Sequence, residues 1–233
     1  MQAIIPGSVG LSNKKKRIRY TDLGKYRNVF EPDFVSSSDP FSLKGCWAER
    51  LFGNTNPIIL ELACGKGDYT VQLAALNPEQ NFIGIDIKGD RMWHGASQAE
   101  KMNLINTAFL RIDIVRLKNY FAEDEIEEIW ITFPDPQHKS KQLKKRLTNP
   151  YYLNIYQEIL NSAGIVHLKT DSEGLFEYTL ETVHDRGCKM VEEIKDIYAK
   201  GELSEELKIK TYYENKYLEE NRPIHYLSFQ FPL

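Results

Sequence analysis

From Pro57 onward the chain alternates short apolar runs with stretches of helical period. Pro57-Ile58-Ile59-Leu60-Glu61-Leu62 reads as a buried strand. A Gly-containing turn follows, then a helix that Asp68 can cap and that Val71, Leu73, Ala74 and Leu76 carry to Asn77-Pro78. The alternation continues with a strand over 81–86, a helix near 90–102, a strand over 107–112 and a helix near 115–121. Glu128-Ile129-Trp130-Ile131-Thr132-Phe133 is the fourth strand, and a helix over 150–160 leads to the fifth, Ile165-Val166-His167-Leu168-Lys169. Strands that are continuous apolar runs and alternate with helices predict a parallel sheet covered on both faces, a doubly wound α/β domain. The end of the chain differs, because 207–213 and 224–231 alternate with period two around a turn at Asn221 to Pro223. They predict a terminal antiparallel pair. Before Pro57, an amphipathic stretch opening at Asp39-Pro40 and ending at Gly53 predicts one more helix.

The 233 residues therefore divide into a basic, mobile arm over 1–38 and a single domain over 39–233. A hydrophobic fraction of 42% and a charged fraction of 27% exclude disorder or low complexity for the whole chain. Cys46, Cys64 and Cys188 form no C-x-x-C pair, and without a signal peptide they read as reduced thiols of a cytosolic protein. No apolar run approaches the roughly 18 residues of a membrane span. The scattered histidines point to no metal site.

A net charge of −3, from 30 basic and 33 acidic residues, conceals polarity along the chain. Lys14, Lys15, Lys16, Arg17 and Arg19 form one basic run, and Lys139, Lys141, Lys144, Lys145 and Arg146 form another. Between Glu173 and Glu220 acids outnumber bases 13 to 7. One basic face suits a nucleic-acid partner, whose phosphates Lys141, Lys144, Lys145 and Arg146 would contact. For the N-terminal run, solvated charge with no partner is an equal alternative.

In open α/β sheets ligands sit beyond the carboxyl ends of the strands, and four of those turns carry an acid. After the first strand comes Glu61-Leu62-Ala63-Cys64-Gly65-Lys66-Gly67-Asp68. Gly65 and Gly67 let backbone approach a ligand. A dinucleotide fingerprint would place a third glycine at 70, where Thr70 stands. Glu61 suits instead a ligand ammonium, which S-adenosylmethionine has and NAD lacks. Asp86 ends the second strand, where a carboxylate accepts ribose hydroxyls, and Asp113 ends the third, where it can face an adenine amino group or cap a helix.

The fourth strand runs into Phe133-Pro134-Asp135-Pro136-Gln137-His138-Lys139, an acid held between two prolines and followed at once by the basic run. Here the sequence resembles the bacterial tRNA (guanine-N7-)-methyltransferase family, whose fourth-strand motif is F-P-D-P followed by a basic stretch. The resemblance extends from about Pro57 to Phe231. It implies a class I, Rossmann-like methyltransferase fold with a mostly parallel seven-stranded sheet and an antiparallel C-terminal pair. It also implies S-adenosylmethionine on Glu61, Asp86, Asp113 and Asp135, with Asp135 the active-site residue. Lys139, Asp171, Thr211 and Glu214 match substrate contacts, the last two through Thr211-Tyr212-Tyr213-Glu214. The implied product is 7-methylguanosine in the variable loop of tRNA, made in the cytoplasm by a monomer or homodimer with no obligatory protein partner. The sequence departs from the family pattern at Ala63, usually glycine, at Asp86, often Glu, and at Gln137, usually Trp. Two alternatives stand beside this reading: a methyltransferase acting on another RNA or a small molecule, and a non-catalytic RNA-binding protein of the same fold.

Overall fold

The computed structural model describes residues 8–32 and 41–232, with side chains from Lys16 onward. Eight strands form one sheet: β1 (Val29–Phe30), β2 (Ile58–Leu62), β3 (Asn81–Asp86), β4 (Thr107–Arg111), β5 (Ile126–Thr132), β6 (Leu160–Thr170), β7 (Lys189–Ile194) and β8 (His225–Gln230), in spatial order β1-β4-β3-β2-β5-β6-β8-β7. All pairings from β1 through β6 are parallel, and β8 runs antiparallel between β6 and β7. The helices are α1 (Ser8–Leu23), α2 (Asp68–Leu76), α3 (Gly89–Lys101), α4 (Leu117–Tyr120), α5 (Pro150–Ile159), α6 (Glu173–Asp185), α7 (Glu205–Lys208) and α8 (Tyr212–Glu219).

The central strands β2 and β3 are buried along their whole length, which explains their unbroken apolar sequences. Pleating sends alternate residues to opposite faces: Leu60 and Leu62 pack with Ile83, Ile129 and Val166, whereas Ile59 packs with Tyr69, Trp130 and Tyr226. From β2 the chain passes outward through β3 to β4, then returns to place β5 on the other side of β2. The strand order reverses at β2, and the turns leaving β2, β3 and β5 diverge around a crevice. No described helix is long and apolar enough to cross a membrane.

Four expectations are corrected. The segment 207–213 is not a strand; it contains α7 and the start of α8, and β8 pairs instead with β6 and β7. Its alternation arose because Leu207 and Ile209 are buried while Lys208 and Lys210 are exposed. Ser204 and Thr211 side chains cap the two short helices, drawing the backbone away from a ladder. Between Phe41 and Gly53 the expected helix reduces to a single wide turn over Ala48–Phe52, closed by Gly53 at φ 68°; Asp39 and Pro40 lie outside the described residues. The helix after β2 is entered from Gly67, one position before Asp68. The two-residue β1 extends the expected seven strands to eight.

The basic N-terminal run, expected as a mobile arm, is helical in α1 and lies on α3. Tyr20 donates to Asp90 at 3.2 Å, and Arg19 lies over the Trp93 ring at 5.5 Å. Gly89 permits this contact, since a Cβ there would meet Leu23 at 2.7 Å.

Candidate active site at the switch point

The crevice holds a cavity of about 410 Å³ whose wall includes Glu61, Gly65, Asp86, Asp135, Thr211 and Tyr213. Each comes from a different structural need. Glu61 is 3% exposed and its carboxylate accepts from Thr70 N at 2.8 Å, from Thr132 Oγ1 at 2.8 Å and from the Thr70 hydroxyl. Burial pushes its pKa up to about 7, although the Thr70 and Thr132 hydrogen bonds pull the other way. Thr70, which displaced the third glycine of a dinucleotide motif, thus serves as the clamp on this acid. The sequence marks Thr70 only as a missing glycine and gives Thr132 no role; an acid in the middle of an apolar strand was the signal that partners must exist.

Asp86 closes the β2 turn against the β3 turn. Its two oxygens accept from Gly65 N at 2.9 Å and Lys88 N at 2.8 Å, which leaves lone pairs for further donors. Gly65 and Gly67 both have positive φ, 57° and 72°. Their roles differ: Gly65 lines the cavity, while a Cβ on Gly67 would meet Phe109 at 2.6 Å, so Gly67 serves close packing beneath the turn. Cys64 is buried, and burial raises its thiol well above the ordinary range, as suits a packing residue.

Asp135 stands exposed at the cavity wall, its carboxylate accepting from Gln137 N at 3.1 Å. The residues bracketing Pro134-Asp135-Pro136 are both left-handed, Phe133 at φ 48° and Gln137 at φ 52°. Such backbone persists only where its surroundings hold it. Phe133 N donates to Lys169 O at 2.8 Å, and Arg146 Nε donates to Pro136 O at 3.0 Å. Arg146 is accordingly 8% exposed, with its guanidinium over the Tyr178 ring at 4.5 Å. Expected on phosphate, it anchors the turn instead. Lys139, Lys141, Lys144 and Lys145 are exposed on the adjoining 3-10 turn, Ser140–Lys145, and its approach.

Asp113, Asp171 and Glu214, also expected at the site, stand outside the cavity wall. Asp113 is exposed and caps the turn after β4 by accepting from Val115 N at 3.2 Å. Asp171 is ion-paired to Arg222 at 2.8 Å. Glu214 is fully buried, 2.8 Å from Lys169 Nζ. Thr211 lines the cavity while its hydroxyl caps α8 through Glu214 N at 3.1 Å. The sequence reading missed Lys66, Lys88 and Arg91, which put positive charge on the wall, and Tyr213 and Tyr217, which give it an aromatic side.

The mostly parallel sheet whose order reverses at β2 is a class I methyltransferase fold, with the clamped Glu61 and Asp86 at its switch point. A family model described as "Putative methyltransferase" matches residues 55–227. The tRNA (guanine-N(7)-)-methyltransferase of Christiangramia forsetii is 48% identical over 223 residues, covering 94% of this chain and 99% of that protein. The one from Porphyromonas gingivalis is 50% identical over 208 residues, covering 88% and 84%. Among solved structures, the 16S rRNA methyltransferase KamB shares the fold, with a TM-score of 0.62 at 15% identity, covering 85% of this chain and 99% of that one. The chain belongs to the tRNA (guanine-N7-)-methyltransferase family.

Proposed function

We propose that the protein transfers the methyl group of S-adenosylmethionine to N7 of a guanine in tRNA, the variable-loop guanine in the family's pattern. The observation that carries this reading is one cavity bounded by a clamped Glu61, Asp86 and Asp135, with the lysines of 139–145 following directly on the Asp135 turn.

The residues present fit the cofactor. Glu61 is a buried carboxylate whose raised pKa marks an anion that lacks a cation, and the ammonium of S-adenosylmethionine is one. Asp86 retains acceptor capacity for ribose hydroxyls. Gly65 lines the cavity with only Ala63 O, at 3.9 Å, near the place of a Cβ, so a side chain there would fill the space a ligand needs. Asp113 would lie beyond the end of β4 on the adenine side. When bound, the cofactor supplies a methyl group on a sulfonium, already an electrophile.

Guanine N7 has a lone pair, so attack needs no base to remove a proton first. The chain's task is positioning, worth several kcal/mol when reacting atoms are held in line. Asp135 orients the base, and its carboxylate also opposes the positive charge that develops on the ring. Thr211 and Tyr213 line the same cavity. Lys139 reaches toward the substrate next to the motif, and Lys141, Lys144 and Lys145 take phosphates, which sets RNA orientation without reading sequence. Asp171 joins the substrate surface through its pair with Arg222. The enzyme acts in the cytoplasm as a monomer or homodimer, needs no metal and requires no protein partner.

Methyl transfer from labelled S-adenosylmethionine to unmodified tRNA, followed by nucleoside analysis, tests the reading. Labelled 7-methylguanosine with the unaltered protein and none with Asp135→Ala is the expected result. Cofactor binding without tRNA methylation would move the substrate to another RNA or a small molecule.

A further inference from the structure

The penultimate residue of β6 is a lysine that the proposed reaction has not used. Lys169 pairs in register with Thr132 of β5, and its carbonyl accepts from Phe133 N, so it stands beside the Asp135 turn. Its side chain is 0% exposed. The ammonium donates to Leu207 O at 3.0 Å and Ile209 O at 2.9 Å, and lies 2.8 Å from Glu214 Oε2. Two of its donors meet backbone carbonyls, and the Glu214 carboxylate stands close enough to balance its charge. Burial still pushes the amine below its ordinary range, against the pull of Glu214.

All three partners belong to one stretch, from α7 to the first turn of α8. The same stretch places Thr211 and Tyr213 on the cavity wall. Helix propensity does not hold it there, because α7 has four residues and α8 eight, both short for helices without tertiary support. Thr211-x-x-Glu214 has the spacing of a capping box, in which the glutamate would turn back to the Thr211 N–H. Here the threonine half is formed, but the Glu214 carboxylate goes to Lys169 and to the Tyr198 hydroxyl at 2.8 Å. Tyr69, which also lines the cavity, adds a second tether by donating to Glu206 O at 2.6 Å.

We propose that Lys169 is a positioning residue for methyl transfer: it fastens residues 207–214 to the end of β6 and so sets the part of the cavity wall that Thr211 and Tyr213 form, with Glu214 as its counter-charge rather than a contact of the base. This rests on the functional reading above. A loosened wall leaves the cofactor acids Glu61 and Asp86 in place, because neither is hydrogen-bonded to the Lys169 side chain, Leu207, Ile209 or Glu214 in the bonds described.

The test is a double-mutant cycle of Lys169→Met and Glu214→Gln, with Lys169→Arg as the conservative variant. Single-turnover methylation of unmodified tRNA is measured at saturating RNA and cofactor, beside S-adenosylmethionine Kd and thermal midpoint. For Lys169→Met the expected result is a cofactor Kd within about twofold of the unaltered protein and a rate reduced about tenfold to hundredfold, as misplacement of reacting groups produces. Lys169→Arg should recover part of that rate, and Glu214→Gln should lose less than Lys169→Met. The double variant should be no slower than Lys169→Met alone, because a pair acting as a unit is not additive. A Lys169→Met rate equal to that of the unaltered protein overturns the proposal. So does a Glu214→Gln loss that exceeds the Lys169→Met loss and multiplies with it, which would put Glu214 on the base. Should Lys169→Met not fold, full rates in both Lys169→Arg and Glu214→Gln overturn it, and reduced rates at unchanged cofactor Kd support it. An unaltered protein that forms no 7-methylguanosine overturns the functional reading itself, and that outcome is visible before any variant is compared.

Discussion

Glu61 offers a test in which stability and function move in opposite directions. Its pKa of about 7 stands well above the ordinary 4.5 because the carboxyl is buried. At roughly 1.4 kcal/mol per unit, an ionised Glu61 costs the fold about 3 kcal/mol at a pH well above 7. A folded-state pKa raised above the unfolded value contributes stability that is fully present below about pH 4.5 and lost as pH rises through about 7. Glu61→Gln should therefore leave the thermal midpoint unchanged near pH 5 and raise it by about 5 °C or more near pH 8. The amide preserves the hydrogen bonds, since its oxygen can accept from Thr70 and its nitrogen can donate to Thr132 Oγ1. Binding should respond with the other sign. Below pH 7 the incoming ammonium must displace a proton from Glu61, so cofactor Kd should weaken about tenfold per pH unit on the acid side and level off above. Calorimetric titration between about pH 5.5 and 7.5 should show this slope in the unaltered protein, and a weak, flat Kd in Glu61→Gln. A flat profile in the unaltered protein, or a Glu61→Gln midpoint no higher near pH 8, would refute the assignment of Glu61 as a carboxylate strained in wait for a cation.

Further outcomes follow from the same geometry. Asp135→Asn should reduce the single-turnover rate at saturating cofactor by about tenfold or more, the scale of losing one charge-stabilising group at a developing charge; an unchanged rate would remove Asp135 from the chemistry. Lys144→Ala with Lys145→Ala should weaken tRNA binding and flatten the slope of log K against log salt by roughly 1 to 2, as two lost phosphate contacts require. Arg146→Ala should behave differently, lowering the thermal midpoint through about 1 to 2 kcal/mol of lost hydrogen bonding and ring contact while leaving the salt slope nearly intact. Ala63→Gly should hold or raise stability by up to about 1 kcal/mol, because the left-handed backbone costs alanine roughly 1 to 2 and the freer unfolded glycine chain returns part of that; a clear fall in the thermal midpoint would contradict it.

The parallel half of the fold was legible because its burial is uniform. β3 was placed at its observed ends, and β2 and β4 missed by one residue, since strands covered on both faces have no polar positions to blur the signal. The antiparallel end was misread for the opposite reason. β7, Lys-Met-Val-Glu-Glu-Ile, is an edge strand that carries charge at two of its three exposed positions, Lys189 and Glu193 beside Val191, a usual protection of a sheet edge, and nothing in it stands out from a solvated loop. The stretch 207–213 has a better strand pattern than β7 but no strand partner. Its carbonyls at Leu207 and Ile209 are taken by an ammonium 38 and 40 residues away in sequence. Local pattern cannot report a hydrogen-bond acceptor claimed by so distant a donor.

At the site, the acids were legible and their supports were not. Glu61 and Asp86 lie at the carboxyl ends of β2 and β3 and Asp135 just past β5, whereas Thr70, Thr132 and Arg146 matter only through a contact across 9, 71 or 10 residues. The two family departures in the turns show what a single sequence leaves hidden in the backbone. Ala63 and Gln137 both occupy left-handed φ, 56° and 52°. Glycine is the usual family residue at the first, and the φ supplies the physical reason: the turn demands a conformation that only glycine adopts without cost. At Gln137 the demand is the same but glycine is not the usual answer, so a bond made by the backbone there must offset the strain. Gln137 donates its backbone N–H to Asp135, and that bond exists only because the chain reverses there. The conformation at 137 therefore belongs to the carboxylate at 135, and a variant such as Gln137→Pro, which removes the N–H and forbids the φ, should lose the aim of Asp135 while leaving Glu61 and the cofactor affinity untouched.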